Sequence, residues 1–275
     1  MFLINGERRH CIDASDRGFQ YGDGLFETIE VCQGKPLFWQ KHIDRLLKGC
    51  QTLSIPSPDI SLLQAEANEI IDGAESAVLK LIITRGSGGR GYRQPDSIVP
   101  TRVLSLHPFP QYPECFHVDG IVARFCEQQL AINPSLAGIK HLNRLEQVLA
   151  RSEWQDDSIQ EGLMQDYQGH VIEGTMSNLF FVKGGVLYTP LVKNCGIAGI
   201  VRQMLAELAV VQGIEFVEMQ ADKQNLLNAD EVFVTNSVIG IWPVKKLDQQ
   251  HFGVGRVTRT LQQGYAEARV RELTL

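Results

Sequence analysis

One lysine in this 275-residue chain stands where a side chain can react. Lys140 lies in Leu136-Ala-Gly-Ile-Lys-His-Leu-Asn-Arg-Leu-Glu146, directly before a segment in which Leu142, Leu145, Val148 and Leu149 recur at helical spacing. A lysine at that point cannot join the apolar stripe. It sits where a strand or loop runs into a helix, a common place for reacting groups. Its amine condenses with carbonyls, and in neutral form it moves protons. The competing reading is a solvated surface lysine.

Three other stretches suit an anion. The loop Arg85-Gly-Ser-Gly-Gly-Arg-Gly-Tyr92 combines four glycines with Arg85, Arg90 and Tyr92. Glycine lets the backbone approach a ligand, and arginine grips a carboxylate or phosphate with two parallel hydrogen bonds; an exposed flexible loop is the alternative. Gly199, Ile200 and Val201 open a helix running to about Val211, with Met204, Leu205, Leu208 and Val211 expected inward. A helix start offers unpaired N–H groups to an anion, although most bind nothing. Thr235, Asn236 and Ser237 end a strand beginning at Asp230, either as a phosphate-contacting end or as a turn.

The elements that must position these residues follow from periodicity. Phe2 to Glu7 reads as a strand turning at Asn5-Gly6, and Ser15 to Gly24 as a tight irregular loop. Leu25 to Val31 is a strand, with Leu37 to Trp39 returning from a turn at Gln33-Gly34. His42 to Leu53 is a helix with Arg45 beside its apolar face, and a second helix lies between Asp59 and Ile71. Strands follow at Val78 to Thr84 and Thr101 to Leu106. The run His107 to Pro113, with three prolines, is the best linker, which sets domains of 1–110 and 111–275 with Lys140 in the second. Beyond it, strands are expected at His117 to Phe125 and Leu179 to Val182. A hairpin turns near Gln168-Gly169, a helix follows Lys140 over 141–152, and a C-terminal helix runs from Arg256.

Composition narrows the function. Apolar residues at 44% and charged residues at 21% describe a soluble chain with a sizeable core. A net charge of -6 argues against nucleic acid as the main partner. Six scattered cysteines without a CxxC pair suit neither a zinc site nor a disulfide framework, so reduced thiols are expected. Met1 to Gly6 turns before any long apolar run, so neither a leader nor a membrane span is expected. No Rossmann or Walker glycine pattern follows a strand.

The stretch Glu173-x-Thr-x-x-Asn178-Leu-Phe, then Leu187-x-Thr189, then Ile197-x-Gly199-Ile200-x-Arg202, resembles the signature of the class IV, or fold type IV, pyridoxal-phosphate enzymes. The resemblance implies a mixed α/β, two-domain fold with the active site in the interdomain cleft, a cytoplasmic homodimer, and pyridoxal 5'-phosphate as cofactor. It makes Lys140 the covalent attachment point and sets Glu173 against the pyridine nitrogen. Arg45 would hold the phosphate with the N–H groups of Ile200 and Val201 behind Gly199, joined by Asn236 and Ser237. The family often has threonine where Val201 stands, so only a backbone contact transfers there. Within the family, Gly138 to Gln147, Arg85 to Tyr92, Met1 to Gly6 and Ser15 to Gly24 are similar to the lyase branch. That branch releases 4-aminobenzoate and pyruvate from aminodeoxychorismate for folate biosynthesis. Arg85, Arg90 and Tyr92 would then meet the substrate. An aminotransferase of D-amino or branched-chain amino acids needs the same lysine, glutamate and phosphate contacts, and remains the alternative.

Overall fold

The computed structural model describes residues 1–274 and divides into two compact units. The first comprises Met1–Pro110, Ile139–Asn143 and the end of the chain from Glu272; the second comprises Gln111–Gly138 and Arg144–Arg271. The short segment bearing Lys140 therefore belongs with the first unit, not with the second as expected. His141 there forms an isolated antiparallel bridge with Leu25 of the sheet.

In the first unit, β1 (Phe2–Ile4), β2 (Glu7–Arg8), β3 (Gly24–Cys32), β4 (Lys35–Pro36), β5 (Ser76–Thr84) and β6 (Thr101–Pro108) form one antiparallel sheet, ordered β2-β1-β6-β5-β3-β4. Asn5 and Gly6, both at positive φ, make the β1–β2 turn. Period-2 alternation puts Leu25, Ile29 and Val31 of β3, Leu79, Leu81 and Ile83 of β5, and Leu104 of β6 in the core. The short α1 (Arg17–Tyr21) precedes β3; α2 (Trp39–Leu53) and α3 (Ile60–Ile71) supply Ile43, Leu46, Cys50, Leu63 and Ala67 to the core. Asp59 caps α3 by accepting from the N–H groups of Ser61 and Leu62 at 2.9 and 3.1 Å. Trp39 opens α2 rather than closing a strand, because Phe38 at φ 53° turns the chain out of the sheet.

The second unit holds α4 (Cys115–Val118), β7 (Ile121–Leu130), α5 (Leu145–Arg151), β8 (Glu161–Asp166), β9 (Val171–Gly174), β10 (Asn178–Lys183), β11 (Val186–Pro190), α6 (Ile200–Val211), β12 (Phe216–Met219), α7 (Lys223–Leu227), β13 (Glu231–Asn236), β14 (Gly240–Leu247), β15 (Gln250–His251) and most of α8 (Arg256–Thr274). Its sheet runs β12-β11-β10-β13-β14-β7-β8-β9, and β9 also pairs with β10 at Glu173↔Asn178. Six strands thus close on themselves, and the closure falls at two signature residues. Phe125, Leu163, Val171, Leu179, Phe181, Val232, Val234 and Trp242 belong to the core of this unit.

Three expectations change here. Cys115–Val118 is helical, and the strand expected from His117 starts only at Ile121, after Gly120 at φ 93°. The helix after Lys140 begins at Leu145, because the backbone of residues 140–142 is hydrogen-bonded to β3 instead. Its inward side is Gln147 and Ala150, while Leu145, Val148 and Leu149 are 76%, 60% and 55% exposed. Val211 is likewise exposed, and Ala209 takes the inward position in α6. Helical spacing identifies a stripe but not which partner covers it.

Candidate active site

Lys140 is held by backbone hydrogen bonds on both sides. Phe26 N–H donates to Lys140 O and Leu142 N–H to Gly24 O, each at 3.0 Å, and Leu25 is bridged to His141. Paired residues of antiparallel strands share a face, and the Lys140 ammonium lies over the Phe26 ring, 4.4 Å from its centroid. A cation on an aromatic face is attracted to it while being kept from part of its water.

The next residue in β3 points the other way. Glu27 is 1% exposed and sits on the core face among Leu25, Ile29 and Val31. Arg45 donates through Nε to Glu27 Oε1 at 2.8 Å and through Nη2 to Oε2. His42, one turn earlier on α2 and fully buried, shares a 2.7 Å hydrogen bond between Nδ1 and Glu27 Oε2. Burial alone would push the Glu27 carboxyl up, but the charge and hydrogen bonds of Arg45 and the bond to His42 bring it down to about 2. Burial pushes His42 below its ordinary value, with Arg45 and Lys140 adding to that and Glu27 opposing it. The pair at neutral pH is therefore a carboxylate with a neutral imidazole donating from Nδ1. His42 Nε2 has no hydrogen-bond partner among the described residues.

The glycine-rich loop is divided between structure and surface. Arg85 is 4% exposed. Its Nε and Nη2 grip Asp23 at 2.7 and 3.0 Å, Nη1 donates to Ser54 O at 2.9 Å, and Nη2 also donates to Leu53 O at 2.7 Å. Arg17 holds the same carboxylate at 2.9 Å and reaches Gly91 O at 3.0 Å. Arg85 is thus a brace for the loops around it, and the substrate contact expected of it is withdrawn, because its donors are spent inside the unit. Gly86, at φ 84°, has space for nothing larger, since a Cβ there would stand 1.9 Å from Val99 O. Arg90 is exposed, and Tyr92, 88% exposed, meets the edge of Tyr21 at 5.6 Å between centroids.

In the second unit, Glu173 is 3% exposed on β9. Its Oε2 accepts from Ile197 N–H at 2.7 Å and from Asn178 Nδ2 at 3.5 Å, and Asn178 Nδ2 also donates to Ile197 O at 2.8 Å. Gly199 must lack a side chain here, because a Cβ would lie 1.9 Å from Asn178 Oδ1. The 196–198 segment is tied to Gly138 through Gly138 N–H to Gly196 O at 2.8 Å and Ala198 N–H to Gly138 O at 3.1 Å. Among the described residues no side chain caps α6 at Gly199, so the first N–H groups of a 12-residue helix, at Ile200 and Val201, are available to an anion. Ser237 is half-buried. Asn236 turns the β13–β14 hairpin: its Oδ1 accepts from Val238 and Ile239 N–H at 2.8 and 2.9 Å, and Nδ2 donates to Met176 O at 3.0 Å.

Several contributors escape a reading of the sequence. Glu161, fully buried, accepts from the Thr175 hydroxyl and the Ser177 hydroxyl, each at 2.6 Å, and so shapes the turn ahead of Asn178. Burial raises its carboxyl above the ordinary range against the pull of those bonds. Arg144 is half-buried, and burial lowers its affinity for its proton while the charges of Glu173 and Glu146 oppose that. The signature's Arg202 is structural, donating to Pro190 O at 3.1 Å and pairing with Glu218 at 3.1 Å. Only Glu27 left a usable signal, a lone carboxylate on the apolar side of a strand. The rest depend on pairings distant in sequence.

In the first unit a half-buried arginine and a lysine held over an aromatic ring, and in the second unit a buried carboxylate and an uncapped helix start, are each the kind of donor that pyridoxal phosphate takes. The family profile described as amino-transferase class IV matches residues 24–247. An aminodeoxychorismate lyase of Vibrio harveyi is 37% identical over 266 residues, covering 95% of this chain and 98% of its own. A D-alanine aminotransferase of Bacillus licheniformis is 33% identical over 265 residues, covering 92% of this chain and 90% of its own. The crystal structure of 4-amino-4-deoxychorismate lyase from Pseudomonas aeruginosa superposes with a TM-score of 0.93 at 43% identity, covering 97% of this chain and 98% of that one. The chain belongs to the class IV aminotransferase family.

Proposed function

We propose that this protein is a pyridoxal-phosphate-dependent lyase that converts 4-amino-4-deoxychorismate to 4-aminobenzoate and pyruvate. The observation that carries lyase over transaminase is the end-to-end likeness to the Vibrio and Pseudomonas lyases, greater than that to the Bacillus aminotransferase. The cofactor, when bound, supplies an electron-accepting ring. Lys140 is its covalent anchor. Glu173, ionised, favours a protonated pyridine nitrogen. Arg45, the N–H groups of Ile200 and Val201, and Ser237 hold its phosphate.

Lys140 Nζ, when neutral, takes the proton from the amine-bearing ring carbon of the substrate. The ring C–O bond then breaks, the enolpyruvyl fragment leaves with the bonding pair as the enolate of pyruvate and takes up a proton, and the ring becomes aromatic, which drives the step forward. Glu27 and His42 keep the guanidinium of Arg45 in one orientation, because both its Nε and Nη2 are occupied. With Arg85 committed to Asp23, Arg90 is the cation of the glycine-rich loop left to meet a substrate carboxylate, with Tyr92 beside it. A cytoplasmic homodimer belongs to the same reading, supported by the exposed apolar side of α5, which a second copy would cover. Among the described residues, no helix is long and apolar enough to cross a membrane.

The test is a product assay. Loaded protein given aminodeoxychorismate should form 4-aminobenzoate and trappable pyruvate in equal amounts without an added keto acid. Amino-group transfer to a keto acid with no pyruvate released would overturn the reading in favour of an aminotransferase. Borohydride reduction followed by peptide mass analysis should place the cofactor on Lys140 and on no other lysine.

A further inference from the structure

We infer that Lys80 holds one carboxylate of the substrate beside Lys140; the inference rests on the lyase reading above. Lys80 lies mid-strand in β5, opposite Thr28 of β3 and Ser105 of β6, on the face of the sheet that bears Phe26. Its ammonium stands 5.5 Å from the centroid of the Phe26 ring, and Lys140 Nζ stands 4.4 Å from the same centroid. The two nitrogens are therefore within about 10 Å of each other, the sum of the two distances.

Lys80 is half-buried, yet it forms no hydrogen bond or ion pair with any described residue. A partly desolvated cation without a counter-ion is costly, and a bound carboxylate removes that cost. The proposed substrate fits the span. Its ring carboxylate lies across the six-membered ring from the amine, roughly 6 Å away by bond lengths. A molecule whose amine-bearing carbon is attended by Lys140 can thus place that carboxylate at Lys80. The enolpyruvyl carboxylate is then left to Arg90. Lys80 also stands on a strand paired on both sides, which holds a contact more firmly than the 85–92 loop. The alternative is a lysine that merely covers Phe26 with its stem.

The experiment uses full-length protein loaded with cofactor, as wild type, Lys80→Met and Lys80→Arg. Lys80→Met keeps the stem and removes the charge. Its KM for aminodeoxychorismate should rise about 10- to 100-fold, the range of one charge-assisted hydrogen bond. Cofactor-free protein should lose affinity for chorismate, which has both carboxylates and a hydroxyl in place of the amine, by a similar factor in calorimetry. Pyridoxal phosphate affinity and Tm should match wild type, and Lys80→Arg should recover most of the KM. An active wild type with normal KM and chorismate binding in Lys80→Met overturns this inference alone. So does a loss spread over cofactor binding and Tm, which marks a structural lysine. A wild type that forms no 4-aminobenzoate removes the lyase reading and this inference with it.

Discussion

Replacing Arg85 by alanine separates a brace from a ligand-binding arginine. The side chain is 4% exposed and makes four hydrogen bonds, two to Asp23 and one each to Leu53 O and Ser54 O. Removing one partner of a buried ion pair costs about 3–5 kcal/mol, and each buried carbonyl left without a donor costs about 1–3 kcal/mol. Arg17 stays on Asp23 at 2.9 Å and keeps that carboxylate partly neutralised. The ion-pair cost is therefore largely avoided, and the two carbonyls at about 1–3 kcal/mol each set most of the loss, about 3–5 kcal/mol. For a chain of this size that corresponds to a fall in Tm of roughly 6–20 °C. Arg85→Lys should recover only part of it, since one ammonium cannot serve a carboxylate and two carbonyls lying in different directions. The assay is urea and thermal unfolding of cofactor-free protein, with KM for aminodeoxychorismate measured where the variant is folded. Wild-type stability combined with a raised KM would refute the brace and return Arg85 to the substrate.

Arg90→Ala should raise KM for aminodeoxychorismate more than about tenfold, or 1.4 kcal/mol, without changing the cofactor titration; unaltered kinetics would return Arg90 to solvent. Glu173→Gln keeps the acceptor for Ile197 N–H but removes the charge, so kcat should fall far more than cofactor affinity, and a wild-type kcat would exclude an electrostatic role. Arg45→Ala should weaken pyridoxal phosphate binding at least about tenfold, both alone and combined with Glu27→Gln, which avoids stranding a buried carboxylate; an unchanged dissociation constant in both would remove Arg45 from phosphate binding. Glu27, held at about 2 in the folded protein, contributes stability in full above the ordinary carboxylate range near 4.5 and loses it as pH falls toward 2. The contribution is about 3 kcal/mol. Urea unfolding between pH 2 and 6 should show this slope in wild type and lose much of it in Glu27→Gln; equal slopes would show that the pair does not govern acid stability.

Local pattern determined much of this protein. Alternation in β3 and β5, the Asn5-Gly6 and Gln33-Gly34 turns and the apolar spacing of α2 and α3 are short-range facts, and backbone sterics with solvent exclusion suffice to read them. The run from Glu173 to Arg202 is legible for a related reason: Asn178 reaching Ile197 O past a side-chain-free Gly199 constrains residues close together in sequence. Long-range pairing decided the rest. That residues 140–142 join the first unit through a bridge to its sheet, with the following helix confined to Leu145–Arg151, depends on hydrogen bonds to Gly24 and Phe26 more than a hundred residues earlier. Arg85 and Arg90 look equivalent on a glycine-rich loop, yet Asp23, Leu53 and Ser54 converge on one of them and leave the other at the surface. Glu27, His42 and Arg45 form a buried set only because α2 lies over β3, and Lys80 comes near Lys140 only because both flank Phe26. A sequence states which side chains can ionise or donate; only the tertiary structure decides which of them find partners within the fold and which remain for a ligand.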